Sequence, residues 1–361
     1  MKRERIIWLF GVGLAMMVLS ACGQIDDDLS DCEPVKPEEE YELNYELKLV
    51  TNMTTELQTQ LNTVTEMEIS DALQHHLQGV FRDYAHDVDL SFFDTELDSL
   101  RLHHESHIMN DNESSYTLYL PMREYMHLAS ANIVNNSQVS QQDDERCHEV
   151  RLTQVLGDTI NSHETGIFTA RSYMNVLEGV DQTFNVKLYM ANAAAALVVD
   201  TTGVKYKSFR AYARGFATDF QIADSAYIFS EHSPYVRATA LALSDTLNQV
   251  GFCMVSFPSR NPKGWWIKEK EQMAITRAEG EIIHEGGTTG EPLWEYIAFV
   301  TLEDGSVTKT TLTLTEPLLA GELKIVKGRM DAKGIVQPTD MKVGVSVTLD
   351  WNQGMEFDHE L

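Results

Sequence analysis

The sequence predicts an all-β protein built as two tandem β-sandwiches, with one helix packed in the first. Three observations carry that expectation. Apolar residues recur at every second position in many short runs, the period of a half-buried strand. One segment alone shows a clear helical period. The runs fall into two groups divided near residue 180, which suits two sandwiches better than one.

The chain has 361 residues, with 28 Lys and Arg against 55 Asp and Glu, a formal charge of -27. An acidic balance of that size argues against a nucleic-acid partner, whose phosphates call for a clustered basic excess. The hydrophobic share of 43% excludes global disorder.

Residues 1–21 read as a lipoprotein signal peptide. Met1 to Arg5 is a positively charged start, and the 14 residues from Ile6 to Leu19 form an apolar run. That run is too short to span a bilayer and has the length of a signal-peptide core. It ends in Leu19-Ser20-Ala21-Cys22, which looks like a bacterial lipobox, so Cys22 is expected to be acylated and to become the new N-terminus. Removing residues 1–21 takes away Lys2, Arg3, Arg5 and Glu4, leaving 25 basic against 54 acidic residues and a charge of -29.

Residues 22–40 read as an acidic linker next to the lipid. Asp26-Asp27-Asp28 and Glu38-Glu39-Glu40 bracket Pro34 and Pro37, and no apolar period begins before Tyr41. A carboxylate run beside the lipid keeps a body away from anionic headgroups. It also resembles the short acidic export signal of surface lipoproteins in Bacteroidota.

The first expected sandwich spans 41–180. Tyr41, Leu43, Tyr45, Leu47 and Leu49 alternate with polar residues as a strand. From Ser70 to Tyr84 the apolar residues Leu73, Leu77, Val80, Phe81 and Tyr84 fall at helical spacing, with Ser70 or Asp71 available as N-cap. Leu97 to Met109 and Tyr116 to Leu120 flank a polar turn and read as a long hairpin. Residues 135–149 are polar and charged and read as a loop.

The second expected sandwich spans 181–361. Strands are expected at 184–190, 195–199, near 209–219, at 225–230 and at 250–257. Trp294 to Leu302 and Val307 to Leu314 flank Asp304-Gly305, the signature of a type I′ hairpin turn. The last strand has the cleanest alternation: Met341, Val343, Val345, Val347, Leu349 and Trp351. It reads either as the closing strand of the second sandwich or as a strand donated to a neighbour's groove.

Signals of chemistry are sparse. With Cys22 given to lipid, Cys32, Cys147 and Cys253 remain, and no C-x-x-C pair supports a metal or redox site. A bridge between Cys32 and Cys147 is expected, since both lie in polar segments. Cys253 lies in an apolar stretch and reads as a buried small hydrophobe. His103, Glu105 and His107 would share one strand face, but their spacing of about 7 Å per pair is awkward for one ion. No metal site and no enzyme activity is expected, although a hydrolase built on those three residues is an alternative. Trp265 and Trp266 are the candidate binding aromatics, able to stack on a sugar or a partner, or to be buried at a domain boundary.

The motif Asp27-Asp28-Leu29-Ser30-Asp31-Cys32 shortly after Cys22 joins three others: the strand Tyr41 to Val50, the stretch Ala320 to Gly328, and Val343-Gly344-Val345-Ser346-Val347-Thr348-Leu349-Asp350-Trp351. Together they resemble the FimB-type anchor subunits of Bacteroidota fimbriae (type V pili). The resemblance implies two transthyretin-like sandwiches, a fimbrillin-like stalk subunit as partner, and a lipid-held place in the outer membrane, exposed at the surface. It implies no cofactor beyond the diacylglycerol and N-acyl chain on Cys22. Subunits of such pili join by β-strand addition. Stalk subunits resembling this family open their groove when an arginine-directed protease removes the first strand. Between Cys22 and Arg82 this chain has no arginine, only Lys36 and Lys48, as an anchor or terminator requires. A surface glycan-binding lipoprotein using Trp265 and Trp266 is the alternative.

Overall fold

The structure is a computed structural model that describes residues 39–50, 67–80, 85–95, 100–109, 115–142, 145–155, 157–243, 247–262, 292–339 and 343–350. The chain divides into two compact units, Met1–Glu39 and Glu40–Leu361, and only Glu39 of the first is described. In chain order the second unit holds β1 (Glu40–Val50), α1 (Met67–Val80), β2 (Asp87–Asp94), β3 (Arg101–Ile108), β4 (Ser115–Pro121), β5 (Glu124–Ala131), β6 (Val139–Gln142), β7 (Arg151–Gln154), β8 (Thr159–Asn161), β9 (Phe168–Asn175) and β10 (Gln182–Met190). There follow β11 (Ala193–Asp200), β12 (Tyr206–Arg214), β13 (Asp219–Gln221), β14 (Ala226–Ile228), β15 (Tyr235–Arg237), β16 (Thr239–Ala240), β17 (Gln249–Ser256), β18 (Trp294–Leu302), β19 (Val307–Leu314), β20 (Leu323–Met330), β21 (Val336–Pro338) and β22 (Val343–Asp350). The protein is all-β with one α-helix among the described residues.

The first sandwich is one sheet folded over on itself. Its order is β3-β2-β5-β9-β10-β1-β4, yet β9 and β10 pair only at Thr169 with Tyr189 and Phe168 with Met190. In a flat sheet β1 and β5 would stand three spacings apart, about 14 Å. Instead Tyr45 of β1 and His127 of β5 share a hydrogen bond of 2.5 Å. The link from β4 to β5 gives the same answer, because Pro121 to Glu124 cannot bridge four spacings. So β3-β2-β5-β9 faces β10-β1-β4. Leu90, Phe92 and Tyr125 from one layer share a buried core with Leu43, Tyr45 and Leu118 from the other. At the corner, the Tyr125 hydroxyl donates to the Pro121 carbonyl at 2.9 Å, holding the turn to the strand that follows it.

The helix α1 presents Ile69, Leu73, Leu77 and Val80 to that core, a spacing of three to four residues that forms one apolar stripe. The same core takes in Ala194, Ala196 and Val198 of β11 and Cys253 and Val255 of β17. These belong to a second group of strands, β16-β17-β11-β20-β21. The opposite faces of β11 and β17, with Ala195, Leu197, Phe252 and Met254, pack on β22-β19-β18-β12-β15-β8 to make the second sandwich. There the Tyr296 hydroxyl crosses the core and donates to the Ala195 carbonyl at 2.7 Å. A small sheet, β14-β13-β7-β6, covers the outer side of β2 and β5 over Phe93, Leu128, Leu152 and Phe220.

Several expectations are corrected. The segments expected as a hairpin at 97–109 and 116–120 form β3 and β4, but β3 pairs with β2 and β4 with β1, on opposite layers. Alternation showed that each is a strand and carried no information on its partner. The polar segment 135–149 contains β6, a four-residue edge strand too short for a period to show. The Asp304-Gly305 turn is not type I′, which needs positive φ at both central residues. Only Gly305 has it, at 89°, and Leu302 N–H donates to the Ser306 carbonyl, giving a three-residue loop with a left-handed glycine. The strand β10 opens at residue 182 and belongs to the first sandwich, while β8, which lies before residue 180, pairs with β15 in the second, so strands cross the position near 180 in both directions.

Gly215 sits at φ +101°, where an added Cβ would lie 2.7 Å from the Leu293 carbonyl oxygen and 2.8 Å from Trp294 Cα. Gly305 shares the positive φ but faces open space. Gly305→Ala should therefore cost about 1–2 kcal/mol from backbone conformation alone. Gly215→Ala should exceed it, at about 3 kcal/mol or more, because two backbone segments must also shift. Urea unfolding of the two variants, compared at constant m, checks the ordering.

Candidate functional site

The first strand, β1, is enclosed on both sides. It pairs in parallel with β10 from Leu43 to Val50 and antiparallel with β4 from Glu40 to Glu46. Leu43 and Tyr45 point into the core while Glu42, Asn44 and Glu46 are exposed. The Tyr45 bond to His127 ties this strand across the sandwich.

The last described strand, β22, pairs with β19 along its full length. Val343, Val345, Val347 and Leu349 stand opposite Leu314, Leu312, Thr310 and Thr308. It ends the sheet order, so among the described residues no strand is hydrogen-bonded to its other side. Trp351 lies outside the described residues, as do Cys22, Cys32, Trp265 and Trp266.

Cys147 is described and is buried at 2% exposure in the core beneath the small sheet. Burial pushes its thiol up to about 11, partly countered by Arg171. Cys253 is fully buried in the first core, and burial pushes it up to about 12, so neither thiol is poised as a nucleophile.

On the sheet-edge strand β3, His103 and His107 each bond a different oxygen of Glu105, at 2.5 and 2.7 Å. His104 and Ser106, on the other face, bond Asp89 at 2.8 and 2.7 Å. The three residues do share a face, but the carboxylate is occupied as a bridge between imidazoles. Among the described residues, no group of three or more His, Cys, Asp or Glu could hold a metal ion. A cleft of about 610 Å³ lies beside α1, lined by His76, Glu164, Arg237 and Thr239 among others.

No family model matches the chain, and no curated protein matches it. Its structural neighbours include fimbrial and adhesin proteins of Bacteroidota. A candidate adhesin from Bacteroides thetaiotaomicron is similar with a TM-score of 0.49 at 7% identity, over 88% of this chain and 99% of that one. The fimbrial anchor protein from Porphyromonas gingivalis is similar with a TM-score of 0.44 at 9% identity, over 86% and 99%. A fimbrial assembly protein from Parabacteroides distasonis is similar with a TM-score of 0.38 at 13% identity, over 87% and 100%. No helix of the described residues is long and apolar enough to cross a membrane.

Sequence reasoning did not single out two buried histidines. His127 lies on β5 at the same parity as Tyr125, Ala129 and Ala131, and that inward parity was the available signal. It stacks on Phe92 with ring centroids 4.3 Å apart, and its Nδ1 lies 3.1 Å from the Ser91 carbonyl. His163 lies 3.1 Å from Gln154 Oε1 and 3.5 Å from Asn192 Nδ2, between the small sheet and the segment joining β10 to β11. Burial lowers His127 to about 4, against a smaller raising effect of the Ser91 bond, and lowers His163 to about 3.

Both values lie below 6.5, so below that pH the unfolded chain takes up protons that the folded chain does not. The stability these groups give is complete above pH 6.5 and is lost as pH falls toward 3 to 4. Each histidine should contribute a slope of about 1.4 kcal/mol per pH unit in that window. His127→Phe should reduce the slope by about one proton between pH 6 and 4, whatever it does to the midpoint. Denaturant titrations at several pH values check this.

Proposed function

We propose that this chain is a surface-exposed, lipid-anchored outer-membrane protein that acts as the anchor or terminator subunit of a fimbria and joins the stalk by β-strand addition. It is a non-enzymatic component whose partner is a fimbrillin-like stalk subunit. Its lipid is the acyl modification of Cys22, and no cofactor takes part.

The observation that carries this reading is the enclosure of β1. A subunit that receives its neighbour's strand needs an open position in its own sheet. Here that position is filled by the chain's own first strand, paired on both sides and tied to His127. The segment from Cys22 to Arg82 holds no arginine at which an arginine-directed protease would release that strand. The covalent path from the lipid to the folded body therefore stays uncut. The joint to the stalk must then use another edge. The outer side of β22, eight residues long and without a bonded strand among the described residues, is the edge we assign to it.

Replacing Cys22→Ala in the producing cell tests the anchoring role. Assembled fimbriae should move from the cells to the medium, and fimbriae that stay cell-attached would overturn the role. A photocrosslinking residue at Ser346 or Thr348 tests the joint, and should capture the stalk subunit. Capture from β3 and not from β22 would move the joint elsewhere.

A further inference from the structure

Five of the large apolar side chains that are exposed among the described residues gather at one end of the first sandwich: Tyr119, Met122, Tyr173, Leu177 and Val180 are 46 to 57% exposed. The pairing fixes their common location. Glu40 stands opposite Pro121, so the β4–β5 turn with Met122 lies where β1 begins. Val176 N–H donates to the Arg123 carbonyl at 3.0 Å, which brings the β9–β10 loop against that turn. Leu177 N–H donates to Gln182 Oε1 at 2.8 Å, and Leu43 stands beside Gln182, closing the group on β1. Turn tips are ordinarily polar, because glycine, asparagine and aspartate supply their geometry and solvation. These two adjacent tips add methionine, leucine and valine to Gly179 and the charged Arg123, Glu178 and Asp181.

This is also the end at which the chain enters the folded body. The residues from Cys22 to Glu39 number 18, and even fully extended they reach no further than about 65 Å. An acyl chain on Cys22 thus keeps this end of the body beside the bilayer at high effective concentration, so a shallow apolar contact suffices. We propose that the β4–β5 turn and the β9–β10 loop form a lipid-facing tip, with Met122, Leu177 and Val180 entering the headgroup region of the leaflet that holds the lipid anchor. The proposal rests on the reading of Cys22 as acylated. Glu178 and Asp181 flank Val180, and Glu124 follows the turn. Those carboxylates repel anionic headgroups, so the surface that fits is zwitterionic.

The contact can be read without relying on acylation. The chain from residue 22 onward is held on phosphatidylcholine vesicles by an N-terminal histidine tag and a nickel-chelating lipid. An environment-sensitive fluorescent amino acid is placed by amber suppression at Met122, at Leu177, or at Ile108. Ile108 is 80% exposed and pairs with Asp87, at the opposite end of the sandwich. With brominated phosphatidylcholine, emission should fall about twofold or more at positions 122 and 177 and stay unchanged at 108.

Introducing anionic lipid should weaken that quenching. Combining Met122→Asp with Val180→Asp should remove it at position 177 while the melting curve is unchanged. No quenching in vesicle-held protein, or equal quenching at all three positions, would overturn the proposal. Mass spectrometry of Cys22 in the native protein separately tests the acyl anchor, so failure of the tip and failure of the anchor are told apart.

Discussion

The structure depends on one strand serving two cores at once. The run Ala193 to Val199 is buried on both faces, with Ala194, Ala196 and Val198 in the first core and Ala193, Ala195, Leu197 and Val199 in the second. Side chains on a strand alternate strictly, so a slip of one residue would exchange the two sets and disrupt both cores together. Its neighbour β17 repeats the division, giving Cys253 and Val255 to one side and Phe252 and Met254 to the other. The four alanines keep the layer thin, which allows a helix and a folded-over sheet on one side and a complete sheet on the other. Two sandwiches that share a wall in this way form a single compact unit from Glu40 onward.

Where the chain crosses from the first sandwich to that wall, polar groups are buried and almost wholly satisfied. Asn192 accepts from Ile167 N–H and donates to the Thr165 carbonyl. Gly321 N–H donates to the Asn192 carbonyl. Gln154 donates to the Ala217 carbonyl and accepts from the Ser256 hydroxyl. An apolar junction would tolerate sliding of one sheet on another, whereas directional bonds among β7, the β10–β11 segment and β17 admit one arrangement. The same confinement holds His163 neutral, so the group that fixes the junction is also one that acid would charge.

Much of the fold was legible because alternation marks strands wherever one face is wet. The segments at 41–50, 184–190, 307–314 and 343–350 are strands where the sequence places them. Partner choice was not legible, since a strand's pattern records that it has a buried face and not which strand lies beside it. That is why the expected hairpin proved to be β3 and β4 on opposite layers. The strand β5 escaped notice because seven of its residues from Tyr125 to Ala131 are buried or half-buried, which blurs the alternation.

For the site, the positions read from sequence motifs, Cys22, Cys32, Trp265 and Trp266, lie outside the described residues. The tip at Met122, Leu177 and Val180 was illegible, because exposed apolar residues matter only once distant turns are brought together.

The parallel pairing of β1 with β10 has a mechanical meaning. Strand hydrogen bonds run across the strand axis. A pull on the chain where it enters β1 acts along that axis, so it loads the eight pairs with β10 and the seven with β4 in shear, all at once. Opening a hairpin from its end breaks one bond at a time, but drawing out β1 requires both ladders to fail together. A body built this way resists tension on its leash better than a hairpin with the same number of strand bonds.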